Sequence, residues 1–120
     1  QVTQLAFYRG EAVGNVACRL ERCPAGHPGE SIGAARLYIM TLGLLAPYRG
    51  MGIGGALLRR VLAAVEFDPN IAEAYLHVQT SNEEALSFYS KHGFTIVDTI
   101  RNYYRRLQPP DCHVLARRLP

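Results

Sequence analysis

The sequence predicts an α/β fold: a mixed, mostly antiparallel sheet with a central parallel pair and flanking helices. Three observations carry this reading. Segments of strand character and helical spacing alternate in the order strand, strand, strand, helix, strand, helix, strand, strand. The first helix joins two strands, and a strand–helix–strand crossover favours a parallel pair, here Ala35–Leu44 beside Ala74–Gln79. The outer segments follow one another through turns and hairpins, which makes the rest of the sheet antiparallel.

Gln4 to Tyr8 and Ala12 to Leu20 read as strands around the short turn Arg9-Gly10-Glu11. Residues Cys23 to Gly33 hold two prolines and three glycines and form a loop. Ala35 to Leu44 has the apolar run of a buried strand, broken by Ala46-Pro47-Tyr48 because proline blocks further pairing. Gly54 to Glu66 is a helix whose apolar face is Ala56, Leu57, Val61, Leu62 and Val65. Asp68-Pro69-Asn70 ends it, and Ala74 to Gln79 is the next strand. Ser81 and Glu84 stand at capping-box spacing before a second helix, which places Ala85, Phe88 and Tyr89 on one side and stops at Gly93. Phe94 to Ile100 and Cys112 to Ala116 complete the sheet.

The 120 residues suffice for one domain, residues 1–120, with 48% apolar residues to build a core. No apolar run is long enough to cross a bilayer, and Gln1-Val2-Thr3-Gln4 lacks the features of a signal peptide, so a soluble cytoplasmic protein is expected. The cysteines Cys18, Cys23 and Cys112 lack CxxC spacing, which argues against a disulfide framework or a zinc site and for a reducing compartment. The net charge of +3 is modest, and the arginine pairs 59–60, 105–106 and 117–118 read first as solvated faces. A contact with RNA, a ribosome or an acidic partner is the minority reading. No RNA-binding motif is present.

Side chains alternate along strands. Tyr38, Met40 and Leu42 are expected on one face of their strand, with Leu37, Ile39 and Thr41 opposite. On the neighbouring strand Tyr75, His77 and Gln79 share a face, and Ala74, Leu76 and Val78 form the aliphatic one. If both polar-aromatic sets line one side of the sheet, Tyr38 and His77 converge on one substrate atom. Arg49-Gly50-Met51-Gly52-Ile53-Gly54 opens the first helix, where glycine admits a close ligand and the first N–H groups lack partners; this is a phosphate site.

Arg49-x-x-Gly52-x-Gly54 resembles the acetyl-CoA pyrophosphate loop of the GCN5-related N-acetyltransferases (GNAT). Asn82-Glu83-Glu84-Ala85-Leu86-Ser87-Phe88-Tyr89 followed by Gly93-Phe94 resembles a second motif of that family. Leu37-Tyr38-Ile39-Met40-Thr41-Leu42, Ala46-Pro47-Tyr48-Arg49, Tyr75-Leu76-His77-Val78-Gln79 and Asn102-Tyr103-Tyr104 narrow the likeness to the NatE-type, San-like N-terminal acetyltransferases, over nearly the whole chain. The Cys23–Gly33 loop is longer than usual for that group. The group also begins with a strand and a helical pair that lie before Gln1, so the resemblance implies an N-terminally shortened GNAT fold.

The resemblance implies that acetyl-CoA is the cosubstrate, that no metal takes part, and that the acceptors are nascent polypeptide N-termini that keep Met before an apolar residue. His77 and Tyr38 would take the amine proton through an ordered water. The backbone N–H of Leu42 would meet the thioester carbonyl, and Tyr89 would bond the CoA sulfur and protonate the departing thiolate. Arg49 and the amides of Met51, Gly52, Ile53, Gly54 and Gly55 would hold the pyrophosphate, and Asn82 the pantetheine arm, although asparagine there also suits a helix cap and one residue could do both. Met40, Tyr75, Tyr103, Tyr104 and Leu107 would bind the substrate, with the first methionine in an apolar pocket. The implied partners are the NatA auxiliary and catalytic subunits near the ribosome, in a cytoplasmic location that extends to the nucleus. Two other functions fit the same motifs: acetylation of a lysine or small amine, and a catalytically weak CoA-binding subunit docked on an acetyltransferase scaffold.

Overall fold

The computed structural model of the chain describes residues 2–8, 11–23, 35–44 and 52–119. The Arg9-Gly10 turn, most of the 23–33 loop, the Ala46-Pro47-Tyr48 break, and the candidate phosphate ligands Arg49 and Met51 lie outside them. Strands β1 (Val2–Tyr8), β2 (Glu11–Arg22), β3 (Ala35–Leu44), β4 (Ile71–Gln79), β5 (Thr95–Ile100) and β6 (Cys112–Arg118) accompany helices α1 (Ile53–Val65) and α2 (Glu83–Lys91). Hydrogen-bonded neighbours in the sheet run β1-β2-β3-β4-β6-β5, a mixed sheet with one parallel pair. By their contacts the residues form two compact units, one of 1–74 with 119–120 and one of 75–118.

In the first unit, β2 pairs antiparallel with both β1 and β3. The β2–β3 register sets Val16 opposite Leu42, Ala17 opposite Thr41, Cys18 opposite Ile39 and Arg19 opposite Tyr38. Met40 is therefore the extra residue of a bulge on β3. An extra residue inverts the alternation beyond it, so Leu42 joins Ile39 and Leu37 on the side of Val16 and Cys18. This corrects the face expected for Leu42, because a bulge is invisible to strict period-two reading. Val16, Cys18, Leu37 and Ile39 on that side are buried.

Helix α1 buries Leu57, Leu58, Val61, Leu62 and Val65 along one stripe. Ala56, expected on that stripe, is exposed, and Leu58, 0% exposed, replaces it. A pattern of i, i+1, i+4, i+5 and i+8 gives the wider apolar face a globular helix needs. After α1 the backbone N–H of Asn70 donates to Asp68 Oδ1 at 2.9 Å, and the N–H of Ile71 donates to the Asp68 carbonyl at 3.1 Å. This side-chain-stabilised turn starts β4 at Ile71 rather than Ala74. Glu73 hid the earlier start by interrupting the apolar run; it lies 3.9 Å from Arg36.

In the second unit, the rest of β4 alternates in burial from Leu76 onward. Leu76 and Val78 are buried, His77 and Gln79 are half-buried, and Tyr75 is buried as well, so burial does not alternate at the start of this stretch. Asn82, not Ser81, caps α2: its Oδ1 accepts from the Ala85 N–H at 3.1 Å. Gly93 ends the helix at φ 87°, with the Phe94 N–H returning to the Tyr89 carbonyl at 3.0 Å. That left-handed angle suits glycine, and the bonds satisfy carbonyls the helix leaves open. β5 and β6 pair antiparallel around a bulge at Val97 and continue the unit. Among the described residues no helix is long and apolar enough to cross a membrane.

Candidate functional site

The helix α1 begins as an anion would require. Its N-cap is Gly52 at φ 79°, ψ 3°, without a side-chain cap bond, and its first turn holds no acidic residue. The first intrahelical bond runs from the Ala56 N–H to the Gly52 carbonyl at 3.1 Å, so the N–H groups of Ile53, Gly54 and Gly55 precede the helical ladder. A Cβ placed on Gly52 would meet no atom within 4 Å, so the backbone stands open there. The positive end of the helix dipole adds to these donors. The residues present therefore fit a pyrophosphate.

On β3 of the same unit, the bulge at Met40 separates Ile39 from Thr41 just before Leu42. A bulge takes backbone groups out of the regular ladder, which is the local condition for presenting an N–H to a ligand. Tyr38 is half-buried and carries the guanidinium of Arg19 over its ring, 5.2 Å from Cζ to the ring centroid. The contact is of cation–π range. Arg19 also donates from Nε to Glu21 Oε2 at 2.8 Å, which holds the guanidinium in place.

The second unit gathers His77, Tyr75, Tyr103 and Tyr104. The imidazole of His77 stacks on Tyr103 with centroids 4.6 Å apart and planes at 12°. Tyr75 meets His77 edge-on at 6.0 Å, and Tyr104 meets Tyr103 at 5.0 Å and 87°. Three hydrogen bonds shape the loop that brings Tyr103 and Tyr104 there. Gln79 Nε2 donates to the Pro109 carbonyl at 2.8 Å, the Tyr104 N–H donates to the Pro110 carbonyl at 2.8 Å, and the Asn102 N–H donates to Asp111 Oδ1 at 2.9 Å. Burial, with smaller effects from Cys112 and Tyr103, pushes the Tyr104 hydroxyl above its ordinary pKa of 10.0, so it stays a neutral donor. Leu107, 46% exposed, and Tyr103, 41% exposed, give the loop an apolar outer surface. Tyr89 is buried, its ring edge-on to Phe88 at 5.0 Å and Phe94 at 5.6 Å.

The family described as Acetyltransferase (GNAT) matches residues 2–94. The chain belongs to the GNAT acetyltransferase family. It is similar to N-alpha-acetyltransferase 50 of Danio rerio, 47% identical over 99% of this chain and 66% of that protein. It is also similar to a probable N-acetyltransferase, san, of Drosophila melanogaster, at 42% identity over 99% of this chain and 60% of that one. The chain thus spans roughly two thirds or less of these relatives' length. A solved structure of Arabidopsis thaliana Naa50 in complex with the bisubstrate analogue CoA-Ac-MVNAL superposes with a TM-score of 0.83 at 51% identity. That superposition covers 96% of this chain and 71% of that one.

Within this GNAT chain, sequence reading placed Tyr75, His77, Tyr103 and Tyr104 as site residues, and the structure brings these four rings together. It missed Arg19 and Pro109. Arg19 joins Tyr38 only through the β2–β3 register, and Pro109 joins Gln79 across 30 residues, so neither carries a local signal. Among the described residues no group of His, Cys, Asp or Glu could hold a metal ion.

Proposed function

We propose that the chain is the catalytic portion of an acetyl-CoA-dependent N-alpha-acetyltransferase. Its acceptors in this reading are protein N-termini that retain Met before an apolar residue. The observation that carries it is the 51% identity to a plant structure whose analogue joins CoA to an acetylated peptide beginning Met-Val. The stacked rings of Tyr103 and His77, with Tyr104 against Tyr103, supply apolar and polarizable surface suited to a methionine side chain.

Acetyl-CoA supplies an activated acetyl thioester. His77 is the group suited to accept a proton near neutral pH, and in this reading it acts with Tyr38 through a water on the substrate ammonium, which has no lone pair until it is deprotonated. The Leu42 N–H donates to the carbonyl oxygen as negative charge develops there. The Tyr89 hydroxyl delivers a proton to the departing sulfur. The N–H groups of Gly52 to Gly55, with Arg49 and Met51, hold the pyrophosphate, and Asn82 lies along the pantetheine arm while capping α2. NatA subunits near the ribosome are the partners this reading implies, in a cytoplasmic location reaching into the nucleus.

Intact-mass measurement after mixing the protein with acetyl-CoA and a Met-Leu peptide tests this directly. The peptide gains one acetyl group, and an N-terminally blocked peptide gains none. Activity on the blocked peptide alone would point to a lysine acceptor instead. CoA binding without turnover would point to a scaffold-docked subunit. His77→Ala and Tyr38→Phe each lower turnover; full turnover in both would remove the base assignment.

A further inference from the structure

We propose that the loop from Arg101 to Leu107 is a specificity surface that favours substrate peptides with acidic side chains a few residues after the N-terminus. This rests on the acetyltransferase reading above. Arg101, Arg105 and Arg106 are exposed and flank Tyr103 and Tyr104 within one loop. Among the described residues none of the three guanidiniums forms an ion pair. The nearby carboxylates are turned to the backbone: Asp111 Oδ1 accepts from the Asn102 N–H at 2.9 Å and Asp98 Oδ1 from the Thr99 N–H at 2.8 Å.

Charges on a loose loop average out, but this loop is pinned. Its hydrogen bonds to Gln79 and Asp111 and between Tyr104 and Pro110 fix its shape, and Tyr103 stacks on His77. Arg105 and Arg106 follow Tyr103 by two and three residues. A chain spans at most about 3.5 Å per residue, so their Cα atoms lie within roughly 7 and 10 Å of that of Tyr103. In this proposal a peptide with its first side chain against Tyr103 and Tyr104 runs toward Arg105, and its third and fourth side chains fall within the same reach. Arginine matches carboxylates in fork geometry there. Three cations on one loop are too few for the several phosphate contacts of an RNA track, which favours the acidic peptide. Exposed pairs are individually weak, so two of them raise kcat/KM by about threefold to tenfold at low salt.

The test compares Met-Leu-Asp-Glu, Met-Leu-Gly-Ser and Met-Leu-Lys-Lys peptides at low and high salt, by turnover and by fluorescence anisotropy of labelled copies. We expect the acidic peptide to lead, with its advantage shrinking at high salt. Arg105→Gln with Arg106→Gln brings the acidic-to-neutral ratio to about one, and Arg105→Lys with Arg106→Lys keeps most of it. Thermal melts confirm that the variants fold. If the neutral peptide is turned over equally well, the proposal fails while the acetyltransferase reading stands. If no peptide is turned over, that reading fails, and anisotropy still decides the loop: equal affinities overturn the proposal. Loss of RNA-oligonucleotide binding in the glutamine variant, with a peptide ratio of one in the parent, also overturns it.

Discussion

The imidazole of His77 lies flat against the phenol ring of Tyr103, centroids 4.6 Å apart and planes only 12° from parallel. One residue comes from β4 and the other from the loop between β5 and β6, 26 positions later. The stack restricts the rotation of the imidazole, and under the base role proposed for His77 its nitrogens need a definite direction. A parallel aromatic contact contributes about 0.5–1.5 kcal/mol beyond its buried area, enough to favour one orientation severalfold.

Tyr103→Ala releases the imidazole and removes apolar surface from the loop. We expect kcat/KM for a Met-Leu peptide to fall by about tenfold, the factor that 1.4 kcal/mol represents, with the KM for acetyl-CoA unchanged. Tyr103→Phe keeps the stacked ring and retains most of kcat. Steady-state kinetics on both cosubstrates check this, and an unaltered peptide kcat/KM in Tyr103→Ala would show that the stack does not serve catalysis.

Gln79 ties that loop to the strand bearing His77, through Nε2 to the Pro109 carbonyl at 2.8 Å. Gln79→Leu preserves approximate volume and deletes the donor. A part-buried hydrogen bond of this kind contributes about 1 kcal/mol. The expected result is a severalfold rise in peptide KM with a small drop in the denaturation midpoint. A lower midpoint with unchanged peptide KM would mark Gln79 as purely structural.

The elements that were legible from sequence are those fixed by local chemistry. The aliphatic and polar faces of β4 follow from alternation at Ala74 to Gln79, and the end of α2 follows from Gly93. Of the four-ring cluster, Tyr75 and His77 were legible because they share a strand face, whereas Tyr103 and Tyr104 were implied only by the family resemblance. What escaped depends on register and on distant pairing. The Met40 bulge moved Leu42 to the other face, Arg19 found Tyr38 across the ladder, and Pro109 met Gln79 through a loop closure. At the start of α2 the Ser81–Glu84 spacing and the cap preference of Asn82 pointed to two neighbouring caps, and only the backbone geometry decides for Asn82.

Gly52 stands at φ 79° with open space where a Cβ would be. Gly52→Ala therefore meets no clash, and its cost is the left-handed backbone alone, about 1–2 kcal/mol. Urea denaturation should show that loss. Isothermal titration should show weaker acetyl-CoA binding, because relaxing the angle re-aims the first N–H groups of α1. Unchanged affinity alongside the stability loss would separate the helix start from the cofactor.

Cys18 is 0% exposed on β2, and burial pushes its thiol from the ordinary 9.0 up to about 11. The folded state therefore holds the proton more tightly than the unfolded chain does. The stabilisation is fully present below about pH 9 and is lost as pH climbs through about 11. A shift of this size corresponds to about 2–3 kcal/mol. Cys112 is raised in the same direction, mainly by burial, so the parent shows a combined decline at high pH. Urea unfolding at pH 8, 9.5 and 10.5 on the parent and on Cys18→Ala isolates the contribution of Cys18. The variant is less stable at pH 8, because it leaves a small cavity, but it declines less steeply, so the curves converge. Parallel curves would mean that the Cys18 thiolate is as well accommodated folded as unfolded.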